Sequence, residues 1–119
     1  MRLVVRPNRM DYESARQLVL TEGSGPEGIV VSVRMGSIPA TERMQPLLAA
    51  LECVFHQLQG STEIDRDLAN ALFGLSFHVQ GDIDGRISRN IETRDGFLDN
   101  EMVRMFLLVE SIFEDEAMF

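Results

Sequence analysis

The sequence predicts a mainly α protein, a single domain over residues 1–119 that forms an antiparallel bundle of four to five helices. Three observations lead to this fold class. Apolar residues recur at spacings of three and four in several segments, which is the period of one helical face. Glycine and proline separate those segments. A chain of 119 residues is long enough for one hydrophobic core and too short for a second independent one.

The first predicted helix begins after a capping residue at Asn8 or Asp11 and runs to about Glu22. Gly23 and Gly25 end it, because glycine is a poor helix former. We expect this helix to bury one apolar face, which consists of Tyr12, Ala15, Leu18 and Val19.

The segment from 25 to 36 has two interpretations. As a helix, it has a capping box formed by Ser24 and Glu27 and a glycine at its end. As a strand, its β-branched residues alternate between two faces, and residues 29–35 then pair with residues 2–6 in a short two-stranded β element. The capping and terminating residues favour the helix, and the β-branched composition favours the strand. Both stay open, and the helix is preferred.

Two further helices are predicted on either side of a short linker. The earlier one begins between residues 41 and 46 and ends at Gln59. The later one occupies Thr62–Gly81 and is capped by its first residue. Because only residues 60–61 separate them, we expect the two helices to form an antiparallel hairpin.

The helix predicted for Thr62–Gly81 is apolar on two sides. Phe73 and Phe77 lie one turn apart, in a row that begins at Arg66 and lies roughly opposite the main apolar stripe. A surface helix needs one stripe. This helix therefore either lies between two layers of its own domain or turns its aromatic pair toward a partner. The main stripe consists of Ile64, Leu68, Ala71, Leu72, Leu75 and Val79.

The C-terminal third is predicted to contain a loop and a last helix. Residues 81–96 are polar and bounded by glycine, which is typical of an irregular segment; a short extended or helical piece around Ile87 to Ile91 is the alternative within it. The helix then runs from about Asp99 or Asn100 to Glu114. Val103 and Leu107 point away from its core face, and Leu108 is expected on the solvent side. The predicted core face consists of Met102, Met105, Phe106, Val109, Ile112 and Phe113.

Charge and hydropathy exclude several classes of function. The net charge is −8, and the 11 basic residues form no cluster that could neutralise phosphates, so we expect no nucleic acid as a partner. No run approaches the roughly 18 apolar residues that cross a bilayer, so no membrane is expected. The first ten residues lack the apolar core of a signal peptide, and there is one cysteine, which predicts a cytoplasmic protein without an internal disulfide.

Short motifs indicate neither a metal nor a cofactor. Cys53 and His56 are one turn apart, but a zinc site needs three or four ligands, and the sequence offers no further pair at a suitable spacing. The run from Asp82 to Gly85 resembles part of a calcium loop, yet the twelfth position of that loop is Ile91, which cannot bind a cation. We therefore predict no metal site and no cofactor.

The surplus of apolar positions predicts a small acidic protein-interaction module, such as an adaptor, an immunity-type inhibitor or a chaperone-like binder. It acts through an apolar patch on its helices and binds another protein or a second copy of itself. An enzyme is the less favoured class. The predicted contact residues are Arg66, Phe73 and Phe77, or Val103, Leu107 and Leu108.

The alternative is a small enzyme or ligand-binding domain with a site around His78, Asp82 and Asp84. A histidine with a carboxylate four residues later has the beginning of a general base. The identity of the partner, the oligomeric state and the biological process lie beyond what the sequence determines.

Overall fold

The computed structural model describes residues 10–89 and 92–118, and every regular element within these ranges is helical. The predicted mainly α fold is confirmed at this level. The buried apolar side chains form one continuous cluster. The elements are α1 (Tyr12–Ser24), α2 (Ile29–Arg34), α3 (Thr41–Leu58), α4 (Arg66–Phe73), a first π turn (Gly74–His78), α5 (Val79–Ser88), a second π turn (Phe97–Glu101) and α6 (Met102–Glu114).

The segment after α1 is a helix, which decides between the two interpretations of residues 25–36. α2 begins after Gly28, so the capping box expected at Ser24 and Glu27 does not form, and Ser24 instead ends α1. The second strand of the alternative β element is therefore absent, and residues 2–6 lie outside the described residues. The strand-like composition is explained by burial, because Ile29, Val30 and Val33 of this short helix enter the core.

The predicted hairpin of two consecutive helices is wrong. α4 begins at Arg66 instead of at Thr62, so residues 59–65 connect it to α3. α3 and α4 each pack extensively against α1. A linker of this length lets the chain pass around α1, whereas the expected two-residue linker would have forced α3 and α4 onto each other.

Asp65 fixes the start of α4 and ties it to α1. Its carboxylate accepts a hydrogen bond from the backbone N–H of Leu68 at 2.9 Å and two from the guanidinium of Arg16 at 3.0 and 3.1 Å. The hydrogen bonds from Arg16 and then from Leu68 hold the pKa of Asp65 below its ordinary 3.8. A capping residue thus serves as a contact between two helices.

The backbone of α1 lies directly against the backbone of the helix that α4, the first π turn and α5 form together (residues 66–88). A Cβ atom on Gly23 would lie 2.4 Å from the carbonyl oxygen of Ala71, and one on Gly74 would lie 2.8 Å from the carbonyl oxygen of Gly23. No larger residue fits at this crossing without moving main chain. The contact positions the first π turn against the core.

The helix of residues 66–88 is continuous, which corrects the loop predicted for 81–96. The backbone keeps right-handed helical angles through the first π turn and into α5. Ile83 extends the buried stripe, and Asp82 lies 3.7 Å from the guanidinium of Arg34 on α2. Packing against α2 therefore continues a helix that the local glycine and polar content alone did not predict.

Two buried carboxylates are each held by an arginine. Glu22, which is 5% exposed, accepts hydrogen bonds from Arg43 at 2.8 and 3.0 Å, and Arg43 also donates to the carbonyl of Glu27 at 2.6 Å. The hydrogen bonds to Glu22 raise the pKa of Arg43. This planar two-point contact requires arginine and joins α1, α3 and the turn before α2.

Glu101 is the second buried carboxylate, at 5% exposure. It accepts hydrogen bonds from Arg94 and from the hydroxyl of Thr41, the latter at 2.8 Å. Burial raises the pKa of Glu101, but the hydrogen bonds from Arg94 and Thr41 outweigh it and hold the pKa below 4.5. Arg94 also donates to the carbonyl of Pro39 at 2.8 Å, so this cluster ties the second π turn to the start of α3.

None of the helices within 10–89 and 92–118 combines the length and the apolar character of a membrane span.

Candidate protein-interaction surface

The aromatic pair predicted from the sequence lies on the outside of the domain. Phe73 is 49% exposed and Phe77 is 62% exposed, and Arg66, at the start of the same row, is also exposed. The opposite side of this helix is fully buried. The second apolar face is therefore a surface feature, and we name its two phenylalanines the aromatic pair.

The aromatic pair is pre-organised. The rings of Phe73 and Phe77 stack with their centroids 4.9 Å apart and an interplanar angle of 14°. The ring of His78 meets both edge-on, at centroid distances of 5.5 and 5.7 Å. Each contact lies within the range of favourable aromatic geometry, so the rings restrain one another before any partner arrives.

The first π turn contributes to this arrangement. Phe77 and His78 lie within it, and Phe73 immediately precedes it. A π turn inserts one extra residue into a helix and changes the direction of the side chains that follow. Such turns occur frequently at functional sites, where they orient side chains that a regular helix would place elsewhere.

The residues predicted as an alternative surface on α6 divide into two groups. Val103 is 43% exposed and Leu107 is partly buried, so both reach the surface to some extent. Leu108 is fully buried, and its predicted position on the solvent side is wrong. Leu108 cannot contribute to a contact surface in this fold.

The burial of Leu108 follows from a rotation of the core face of α6. This helix packs against both α3 and the first π turn, and its buried apolar positions are Met105, Leu108, Val109 and Ile112. Phe113, which the sequence assigned to the core, is 47% exposed. The even distribution of apolar residues around α6 gave no local signal for the correct rotation.

Other exposed apolar side chains were not predicted. Met35 is 79% exposed at the end of α2, and Ile87 is 53% exposed near the end of α5. Their neighbours are in contact, since the guanidinium of Arg86 donates to the carbonyl of Gly36 at 3.3 Å. The signal for Ile87 was lost because residues 81–96 were expected to form a loop.

The alternative catalytic residues share a helix but do not form one cluster. His78 is exposed and packs on the aromatic pair, whereas Asp82 is paired with Arg34 of α2. Asp84 is exposed and follows Asp82 by two residues, which is about 200° around a helix. Four residues separate His78 from Asp82, which keeps these two on one side of the helix, whereas Asp84 points away from both.

The residues considered for metal binding have other contacts. The thiol of Cys53, which is partly buried, donates to the carbonyl of Met10 at 3.3 Å, and the imidazole of His56 lies 3.9 Å from the carboxylate of Glu52. Cys53 is thus half-buried against the backbone that precedes α1. Within residues 10–89 and 92–118, no three histidine, cysteine or acidic side chains are grouped closely enough to hold a metal ion.

No protein-family model, curated protein or solved structure matches this chain. Function is therefore inferred from the geometry of the surface itself.

Proposed function

We propose that this chain is a small acidic cytoplasmic protein-interaction module that binds a protein through the aromatic pair. The observation that supports it most is the exposure of two stacked phenylalanine rings, Phe73 and Phe77, on an ordered helix. Exposing such rings to water is unfavourable by roughly 1.5–3 kcal/mol for each fully exposed side chain. Burial against a partner recovers part of that free energy.

The chemistry of the aromatic pair suits an interface. Phenylalanine is enriched in the buried centres of protein–protein contacts, because it contributes a large apolar area and loses little conformational entropy. Stacking of Phe73 on Phe77 further reduces the entropy that binding must remove. Arg66 lies at one end of the same row and suits the polar rim of such a contact.

The charge of the chain sets the kind of partner surface that is favoured. A net charge of −8 speeds encounters with basic surfaces and, at low ionic strength, slows encounters with acidic ones; near 0.15 M salt the charges within the contact itself matter more. Adaptors, immunity-type inhibitors and chaperone-like binders all act in this way, through shape and charge and without chemistry. The alternative enzyme has no specific support, since Asp82 is paired with Arg34 and Asp84 lies on another side of the helix.

The proposal is tested with Phe73→Ser/Phe77→Ser in the full chain. Purified tagged chain is immobilised and exposed to an extract of the source cells, and retained proteins are quantified by mass spectrometry. We expect the wild type to retain a defined protein, or an untagged copy of this chain, and the double variant to lose it. Phe113→Ser removes an equally exposed phenylalanine on α6 and serves as the matched control.

Thermal unfolding distinguishes a surface role from a core role. The double variant should lose less stability than Leu72→Ala, which removes a fully buried side chain and costs about 2–5 kcal/mol. If the double variant unfolds as readily as Leu72→Ala, or if it retains the same proteins as the wild type, the aromatic pair is not the binding surface.

A further inference from the structure

We infer that the protein held by the aromatic pair is a second copy of this chain, packed antiparallel along the helix of residues 66–88. This inference rests on the proposed function and names its partner. In the dimer, Phe73 lies against the partner's Phe77, and Arg66 lies against the partner's Asp84. The helix carries a face whose two halves are complementary to each other.

The exposed face of this helix remains in phase along its whole length. Positions 66, 70 and 73 are separated by four and three residues, which keeps them on one side of an α-helix. The stacked rings show that positions 73 and 77 stay on one side across the first π turn. Positions 77 and 84 are seven residues apart, close to two helical turns. The face consists of Arg66, Asn70, Phe73, Phe77, Gln80 and Asp84, all of them exposed.

The register of the two halves is symmetric about position 75. Arg66 precedes that position by nine residues (75 − 66) and Asp84 follows it by nine (84 − 75). A two-fold axis through position 75 therefore brings Arg66 to Asp84 of the partner subunit whenever Phe73 meets Phe77 of the partner subunit. The same axis brings Asn70 to the partner's Gln80, amide against amide. Two-fold interfaces require this self-complementarity, since the same patch forms both sides.

Charge selects the antiparallel orientation. In a parallel pair, the two copies of Arg66 would face each other and so would the two copies of Asp84, which is repulsive. In the antiparallel pair, each cation faces an anion. Neither Arg66 nor Asp84 forms an ion pair or side-chain hydrogen bond with any of the residues 10–89 and 92–118, so both are available.

Arg66 also occupies a position that its own helix disfavours. It is the first residue of α4, where the helix dipole stabilises an anion and destabilises a cation. Arg66 therefore does not stabilise α4 in the monomer, whereas pairing with the partner's Asp84 gives this side chain a favourable contact.

The size of the face predicts a weak dimer. From position 66 to position 84 the helix is about 27 Å long, and at about 10 Å of width it covers roughly 300 Å² per copy. Stable complexes bury about 800 Å² per partner, so we expect a dissociation constant between about 10 μM and 1 mM. The charge of −8 on each copy further weakens association at low ionic strength, and measurement near 0.15 M salt limits this repulsion to about 8 Å.

The experiment is sedimentation equilibrium of the purified full chain between about 10 μM and 1 mM. We expect the 13.4 kDa chain to form a dimer. Arg66→Asp and Asp84→Arg, made separately, should each weaken self-association by roughly tenfold, because each replaces two attractions with two repulsions. An equimolar mixture of these two variants should associate as well as the wild type, since one copy is then anionic at both positions and the other cationic at both. Arg104→Asp changes the net charge as Arg66→Asp does, at an exposed position on α6, and should have no effect.

Loss of folding cannot imitate these results. Arg66→Asp places an anion at the N-terminus of α4, which the helix dipole favours, and the mixed sample recovers association without any further change in sequence.

The outcomes separate the two proposals. If the wild type is monomeric up to 1 mM while another protein is retained through Phe73 and Phe77, the dimer is wrong and the proposed function stands. If the wild type dimerises but the mixture of charge variants does not recover, the dimer uses another face and this inference is overturned. If neither dimerisation nor retention depends on the aromatic pair, both proposals are wrong.

Discussion

The backbone contact between α1 and the helix of residues 66–88 makes a sharp prediction about Gly23→Ala. The added methyl group would lie 2.4 Å from the carbonyl oxygen of Ala71 and 2.8 Å from its carbonyl carbon and Cα. Ordinary contact begins near 3.4 Å, so the two main chains must separate by about 1 Å (3.4 − 2.4). No side-chain rotation relieves the clash, because the three nearest atoms all belong to the backbone of Ala71.

The size of the effect follows from two opposing contributions. Overpacking of this kind costs about 1–3 kcal/mol. Replacing a helical glycine by alanine also stabilises the protein by about 0.5–1 kcal/mol, because alanine reduces the conformational entropy of the unfolded chain. We therefore expect Gly23→Ala to lower the free energy of unfolding by about 1–2 kcal/mol, which is a fall of roughly 3–10 °C in Tm for a domain of this size.

Gly85→Ala is the matched control, since no atom lies within 4 Å of the added methyl group in α5. It should stabilise the protein by about 0.5–1 kcal/mol. The assay is urea unfolding followed by circular dichroism. The free energies of unfolding of the two variants are compared with their m-values held equal in the fit. Equal stability of Gly23→Ala and Gly85→Ala would refute the close backbone contact that positions the first π turn.

Two further predictions concern the buried carboxylates. Arg43→Met leaves Glu22 buried without its cation and should lower the free energy of unfolding at pH 7 by about 2–4 kcal/mol. The control Arg104→Met, at an exposed position, should change it by less than about 0.5 kcal/mol. Equal effects of the two variants in urea unfolding would contradict the buried pair. Glu101 has a pKa below 4.5 in the folded state, so at acidic pH the folded protein binds fewer protons than the unfolded chain. The stability that this carboxylate contributes is present above about pH 5 and is lost as the pH falls through the folded pKa. Between about pH 5.5 and pH 3, the free energy of unfolding of Glu101→Gln should therefore fall less than that of the wild type. If the two free energies fall in parallel with pH, the carboxylate is not held by these hydrogen bonds.

Much of the local structure was predictable, because its causes lie within one turn of the chain. The cap at Asp11 is confirmed by its hydrogen bond from the backbone N–H of Ser14 at 2.8 Å. The end of α3 before Gly60 is confirmed by a positive φ of 79° at that glycine. The row that contains Phe73 and Phe77 was also visible, since helical period alone places these side chains opposite the main stripe.

Contacts between distant residues decided the rest. Arg16 and Asp65 are 49 positions apart, and Thr41 and Glu101 are 60 apart, so no local pattern could pair them. The same holds for Arg16 and Arg43, whose two-point contacts with Asp65 and Glu22 form only when the helices are assembled.

The sequence by itself determined that this chain is helical, roughly where its first helices begin and end, and that one helix has two apolar sides. Only the tertiary structure decided which of those sides is buried, that α1 packs against both α3 and α4, and that Leu108 faces inward on α6 while Phe113 faces outward. The physical reason is that helical period and capping are properties of neighbouring residues. Burial depends on which surfaces the rest of the chain brings into contact, and those surfaces come from residues far apart in the sequence.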